Sequence, residues 1–569
     1  MNNKFVNQTV AFFKGFSNSE IVVQAILIGL TTGFLVVLFK LSINLVFNFI
    51  QTHIAHLTKL QQLLIFPLIT TTGGLISGIL VFKFAPETRG SGIPYVKLTL
   101  ARIGKGTRIR SIIVKFLAGV AGIGTGLSLG REGPSVQLGA GAGALIAKIF
   151  QKKGTLQHNL ISAGAGAAIG ATFNAPIAGT MFVLEELAQN FTASILFPVL
   201  IATVIASTVA RSLLGANPSF TIPTNVGIIT LSSLPVFIVL GILAGIFGVL
   251  FAKLIFLSNQ MYDKIKIPNL YKPAIAGLLI GIFGLLIPQI LGSGNAAVDA
   301  LMQNKFTIIT LIIIFTAKFI VTPLCFGSGA AGGIFLPMLM LGSFLGYITG
   351  LVSNHLGFSV SPVVLSLVGM GAFLSATART PITAVVMVFE MTGDYNHILP
   401  IMFSVAIADL VAERLNHSPI YESLILKQGK QTDESKILSK TQVKTKYSSN
   451  TKAIKLNLTL QEALETCQNF NQGILPIINN KKAILGTITR RDIEDALIEN
   501  EQNISIEKIM NPAPLTIRES DDLYKAYYLM HLNNKNALLV TDSLNIYKGI
   551  ITREQICPHN DNKVNCATL

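Results

Sequence analysis

From Ile21 to about Val411 the chain alternates long apolar runs with short polar connections. Ile21–Ile50, Leu63–Ala85, Ile195–Leu214, Ile228–Leu257, Ala274–Leu291 and Phe306–Phe326 approach or exceed the about 20 helical residues that cross a hydrocarbon core. This pattern predicts a bundle of membrane helices. Other runs are broken by Gly and Pro, at Gly90–Pro94, Gly130–Pro134 and Gly327–Pro337. A break at membrane depth exposes backbone amides, which is tolerable only around a cavity enclosed by protein. Discontinuous helices of this kind point to a transport site.

The apolar region also repeats itself. A shift of 205 residues carries Gly164, Ala171, Pro176, Val183 and Glu185 onto Gly369, Ala376, Pro381, Val388 and Glu390. A shift of 203 carries Gly130, Pro134, Gly139 and Gly143 onto Gly333, Pro337, Gly342 and Gly346. Nearly constant offsets across two neighbouring motifs predict two homologous halves. From Lys427 the pattern becomes polar and reads as a linker. Helix-like and strand-like segments then recur twice: Leu460–Phe470, Ile474–Ile478, Gly486–Thr489 and Asp492–Glu499, followed by Asp521–Leu532, Ala537–Thr541 and Gly549–Thr552. The expected organisation is an amino-terminal segment (1–20), a membrane domain (21–425), a linker (426–450), two small α/β domains (451–503 and 504–558) and a short tail (559–569).

Composition agrees with the pattern. Of 569 residues, 51% are hydrophobic and 13% charged, about half the usual charge of a soluble domain. Between Ile21 and Tyr262 the acids are Glu87, Glu132, Glu185 and Glu186. The net charge of +16 is uneven: 25 basic and 12 acidic residues up to Ile425, then 19 and 16 beyond it. Basic residues between apolar spans mark cytoplasm-facing loops. No clustered basic face or aromatic motif suggests nucleic acid. The four cysteines are widely spaced, so neither a disulfide framework nor a metal site is expected. Met1–Glu20 is polar and lacks a small-residue cleavage site. No nucleophile–base constellation supports an enzyme. A divalent-cation transporter would need acids along the membrane path to replace a hydration shell, and this path has scarcely any.

The breaks carry the candidate chemistry. In Gly90-Ser91-Gly92-Ile93-Pro94, Ser91 offers a hydroxyl at a helix start, where free amides and the helix dipole attract anions. The alternative is a serine that caps its own helix. In Gly130-Arg131-Glu132-Gly133-Pro134, Glu132 is an isolated acid, and a carboxylate at bilayer depth is costly and functional by default. Ionised at a helix start, it would occupy an anion's place; protonated, it would release it. The alternatives are an ion pair with Arg131 or a cap. In Gly327–Pro337 the Ile334 and Phe335 amides are the obvious donors, and Phe335 aligns with Glu132 in the repeat; the alternative is close helix packing through small residues. Glu185 has a counterpart in Glu390, so it reads as architectural. Glu186 aligns with Met391 and is the candidate for a task of one half, such as proton entry, unless both acids merely mark a helix leaving the membrane.

Together, Gly90–Pro94, Gly130–Pro134 and Gly333–Pro337 resemble the three signature stretches of the CLC family of chloride channels and chloride/proton exchangers, over roughly Ile21–Ile425. The tail resembles the paired CBS domains many members carry. The resemblance implies an all-α polytopic membrane protein, a CLC-type inverted repeat with discontinuous helices, followed by an α/β CBS pair. It also implies a homodimer in the lipid bilayer with one pathway per subunit. It assigns chloride to the Ser91 hydroxyl, the Ile334 and Phe335 amides and the hydroxyl of Tyr421. Glu132 matches the proton-carrying gate and Glu186 the internal proton-transfer glutamate of exchangers. Channel members typically lack that second acid, so exchange of chloride for protons is favoured over a passive channel. Ser91, where nitrate-preferring members often have proline, resembles chloride-preferring ones. In the tail, Gly486-Thr487-Ile488-Thr489-Arg490-Arg491-Asp492 matches a nucleotide-binding segment that places Thr489 on phosphate and Asp492 on ribose. The second copy has Gln555 in place of the aspartate. One adenine nucleotide site and a purely structural clamp both fit that pattern; transport itself requires no cofactor. The compact loops suggest a bacterial inner membrane with cytoplasmic CBS domains.

Overall fold

The computed structural model describes residues 19–101, 107–216, 219–220, 233–393, 397–415, 418–428, 433–449, 451–456, 458–469, 474–480, 482–498, 506–512, 514–533 and 535–557. Most of the expected segment 1–20, part of the expected linker and the tail 559–569 therefore lie outside the described residues. The chain divides essentially at Ser423/Leu424 into two compact units.

The membrane unit is helical, and its element order doubles as the offsets predict. The first half contains α1 (Ser19–Ala55), α2 (Lys59–Ile79), α3 (Ile93–Leu100), α4 (Ile109–Gly124), α5 (Glu132–Ile149), α6 (Thr155–Phe173), α7 (Pro176–Phe182) and α8 (Ala193–Leu214). The second contains α9 (Leu234–Lys264), α10 (Lys272–Leu286), α11 (Asn295–Met302), α12 (Ile308–Gly327), α13 (Phe335–His355), α14 (Pro362–Ala378), α15 (Pro381–Thr392) and α16 (Ile398–Arg414), and α17 (Ile420–Gln428) follows. Among the described residues, seven helices are long and apolar enough to cross a membrane. Of the others, α5, α6 and α14 are buried along most of their length. On α1, Ile28, Thr32, Val36 and Val37 are buried, whereas Phe34, Leu38, Leu45 and Phe49 are exposed. An outer face that apolar suits lipid and not water.

Close backbone approach holds each half together. A Cβ on Gly139 of α5 would lie 2.2 Å from the Gly164 carbonyl of α6, and one on Gly342 of α13 would lie 2.2 Å from the Gly369 carbonyl of α14. Small residues at helix crossings give dispersion contacts that lipid cannot outbid. The same crossing, made by aligned glycines, therefore occurs in both halves.

The tail unit follows the expected alternation. In the first repeat, α19 (Leu460–Asn469) leads into an antiparallel pair, β1 (Ile474–Ile478) and β2 (Ile484–Thr489), and then α20 (Arg490–Ile498). Leu475, Ile477, Ile488 and Ile493 form its core. In the second, β3 (Thr516–Arg518) pairs parallel with β4 (Ala537–Thr541), and β4 pairs antiparallel with β5 (Tyr547–Thr552). The polar stretch after Lys427 is more than a connection. It contains α18 (Asp433–Lys440) with Leu438 buried, and the Val443 amide donates to the Asp521 carbonyl at 2.8 Å. Its few apolar residues are spaced to pack on the second repeat, a signal too sparse to stand out among the lysines. Cys557 is disulfide-bonded, whereas Cys325 and Cys467 are free.

Candidate functional site

The three breaks meet. Gly130 and Gly333 exchange both backbone hydrogen bonds, at 2.7 and 2.6 Å, and the Gly332 amide donates to the Gly90 carbonyl at 3.1 Å. Residues some 200 positions apart thus form one junction, from which α3, α5 and α13 each begin. Gly90 and Gly92 have φ of +65° and +91°, a turn that side chains resist. A Cβ on Gly133 would lie 2.2 Å from the Ser91 hydroxyl oxygen. The absence of a side chain at Gly133 is what lets Ser91 approach the start of α5.

Ser91 and Tyr421 are buried, and among the described residues neither hydroxyl has a hydrogen-bond partner. Ser91 is therefore not spent on capping its own helix. Buried polar groups are nearly always paired, so two unsatisfied hydroxyls are donors available to a ligand. Ile334 immediately precedes α13 and Phe335 opens it; both are fully buried. The Phe335 ring packs against Phe173 and Phe182 at centroid distances of 5.4 and 5.9 Å.

Glu132 is fully buried at the first position of α5. One carboxylate oxygen accepts from the Leu336 amide, in the first turn of α13, at 3.4 Å; the other has no partner. No ion pair joins it to Arg131 among the described residues. The carboxylate of one half thus rests at the amino-terminal end of a helix of the other half, where amide dipoles favour negative charge.

The two adjacent acids diverge. Glu185 accepts from the Ile382 and Thr383 amides at the start of α15, at 3.0 and 2.7 Å. Glu390 does the same for Ile177 and Ala178 at the start of α7, at 3.1 and 2.7 Å. Glu186 sits in the π-helical turn Val183–Leu187 and forms a 2.7 Å ion pair with Lys97, both side chains buried. Sequence reading missed Lys97. It also missed a wider symmetry. Lys115 donates to the Thr88 and Gly90 carbonyls at 2.8 and 2.6 Å, and Lys318 donates to the Ile290 and Gly292 carbonyls at 2.9 and 2.7 Å. Carrying the offset upstream finds this: Gly90-Ser91-Gly92 falls on Gly292-Ser293-Gly294, and Lys115 on Lys318.

In the tail, Asp492 accepts from the Thr489 amide and hydroxyl at 3.0 and 2.6 Å, and Thr489 accepts from the Asp492 amide at 3.2 Å. The pair is a reciprocal cap on α20. Thr552 and Gln555 form the equivalent cap on α21 (Arg553–Ile556). Among the described residues no cluster of His, Cys, Asp and Glu could hold a metal.

Comparison with known proteins places this architecture. The family model described as voltage gated chloride channel matches residues 73–413, and the CBS domain model matches 446–499 and 506–558. The chain is 35% identical to a protein of Vibrio parahaemolyticus named H(+)/Cl(-) exchange transporter ClcA, over 74% of this chain and 92% of that one. It is 32% identical to the solved structure of a slow cyanobacterial Cl-/H+ antiporter, covering 72% of this chain and 98% of that one with a TM-score of 0.68. A eukaryotic CLC transporter, 19% identical, shares the fold over 94% of this chain and 97% of its own, with a TM-score of 0.64. With its glycine-rich junction between two repeated halves and its paired CBS domains, the chain belongs to the CLC family of voltage gated chloride channels and their transporter relatives.

Proposed function

We propose that this protein exchanges chloride for protons across a membrane by letting the anion and a protein carboxylate compete for one site. Chloride is held by the Ser91 and Tyr421 hydroxyls and the Ile334 and Phe335 amides. Dipoles and hydroxyls, without a full positive charge in direct contact, bind the ion while leaving it free to depart. Glu132 is the gate: ionised, it takes an anion's place at the head of α13; protonated, it swings clear and carries the proton outward. Glu186 passes protons from the inner side. Each cycle then links one movement to the other, because the two negative groups cannot share the site.

The observation that carries this reading is the buried Glu132 carboxylate seated on the Leu336 amide, since a carboxylate and a chloride ask for the same donors. The rival reading is a passive chloride channel of this fold. Recording internal pH during chloride efflux from reconstituted liposomes separates the two. Stoichiometric proton uptake supports exchange; chloride efflux without it overturns exchange in favour of the channel.

The protein acts as a homodimer with one pathway per subunit, in a bacterial inner membrane with the CBS pair in the cytoplasm. The same reading gives the CBS pair one adenine nucleotide, held by Thr489 and Asp492. Asp492 has a carboxylate oxygen outside its cap bonds for that purpose.

A further inference from the structure

The Lys97–Glu186 ion pair joins two sites that the exchange reading treats separately. The groups are 2.7 Å apart, with side-chain exposures of 0% and 3%. Lys97 stands on α3, an eight-residue helix whose entry turn carries Ser91. Glu186 stands on the π-helical turn that extends α7. Among the described residues, the other charged or titratable groups facing Glu186 are its neighbour Glu185 and, from α17, Glu422 and Tyr421. Lys97 supplies the cation among them.

We propose that Lys97 is a positioning residue for exchange, coupling the protonation of Glu186 to chloride binding at the far end of α3. This rests on the exchange reading above. While Glu186 is ionised, the pair is neutral and α3 is tethered. A proton arriving from the inner solution binds the Glu186 carboxylate, and the pair gains one positive charge. A buried cation that loses its counter-charge must find another, and the mobile anion at Ser91 is the group free to supply it. By reciprocity, chloride at Ser91 favours the proton on Glu186. Proton entry and chloride entry therefore promote each other from the inner side, whereas at Glu132 proton and chloride replace each other through competition for one site.

The test uses full-length protein in liposomes, reading protons moved per chloride, and calorimetry with chloride on the same preparations. Lys97→Met should lower the proton-to-chloride ratio at least about twofold while chloride flux persists, the low end of coupling between residues in contact. Lys97→Arg should restore it. If Lys97→Met does not fold, chloride affinity still decides, because Glu186→Gln/Lys97→Met strands no charge. It should bind chloride at least about twofold more weakly than Glu186→Gln alone, which keeps the free cation. A wild-type ratio in folded Lys97→Met, or equal affinities in those two variants, overturns the inference and leaves exchange intact. A wild-type protein that moves no protons overturns both.

Discussion

Glu185 and Glu390, 205 residues apart, each cap a helix of the opposite half: Glu185 holds the first amides of α15 and Glu390 those of α7. The two repeats are thus clasped reciprocally, each by an acid at the end of the helix the other caps. Glu186, one residue on, has no acidic counterpart and points to Lys97 instead. Adjacent carboxylates therefore differ: one clasps the opposite half, and the other pairs with a buried lysine.

Removing a clasp should damage stability alone. Glu185→Ala loses two amide bonds and the Thr383 hydroxyl bond. Bonds to a charged group are worth about 1.5–3 kcal/mol each when buried, and partial exposure brings the total nearer the low end. Thermal unfolding should shift down, while protons moved per chloride stay unchanged; an altered ratio would contradict the division of roles.

Glu132→Gln keeps the shape of the gate and removes its charge. Chloride should still move, proton movement should vanish, and the rate should lose the pH dependence that Glu132 imposes. Flux assays at several pH values check this, and persistent coupled proton movement would remove Glu132 from its role.

Gly133→Ala puts a methyl carbon 2.2 Å from the Ser91 hydroxyl oxygen and 2.5 Å from its carbonyl. At such distances Ser91 must shift. Chloride affinity by calorimetry should fall about tenfold or more, equivalent to about 1.4 kcal/mol. Unchanged affinity would place the anion elsewhere.

Tyr421→Phe removes a hydroxyl that has no hydrogen-bond partner among the described residues, so unfolding should not become easier. If that hydroxyl serves chloride, affinity should fall about 2- to 12-fold, the worth of one hydrogen bond of about 0.5–1.5 kcal/mol. A less stable protein with undiminished affinity would reverse the assignment.

Asp492→Ala breaks the cap on α20, with an expected cost of about 0.5–2 kcal/mol to the tail. It should also abolish any rise in the tail's unfolding temperature on adding AMP or ATP to the full-length protein. If nucleotides shift nothing in the wild type, Asp492 is a cap and the CBS pair is structural.

Much of this was legible because the chemistry lies in short motifs. Ser91, Glu132 and Phe335 sit beside glycines and prolines that break apolar runs, and such breaks are conspicuous in a chain so poor in charge. The repeat was legible from aligned glycines, and the structure shows why they recur: equivalent crossings, α5 with α6 and α13 with α14, demand them. Tyr421 was reachable only through family resemblance, since a tyrosine near the end of a membrane region has no periodic signature. Lys97 was not reachable at all. Its partner lies 89 residues away, and no pattern along α3 marks a buried lysine for an acid on another helix. Lys115 and Lys318 were within reach of the same offset and needed only its extension upstream. The segment Asp433–Lys440 was hidden by its charge, although Leu438 packs within the tail unit.

The most direct test of the central claim is made in liposomes holding purified protein, with a chloride gradient and with voltage clamped by potassium and valinomycin. Internal pH is recorded from equal starting values on both sides. Exchange requires protons to move uphill, driven by chloride alone, and Glu132→Gln to abolish that movement while chloride still flows. Chloride moving down its gradient with internal pH unchanged in the wild type would contradict exchange and make this protein a channel.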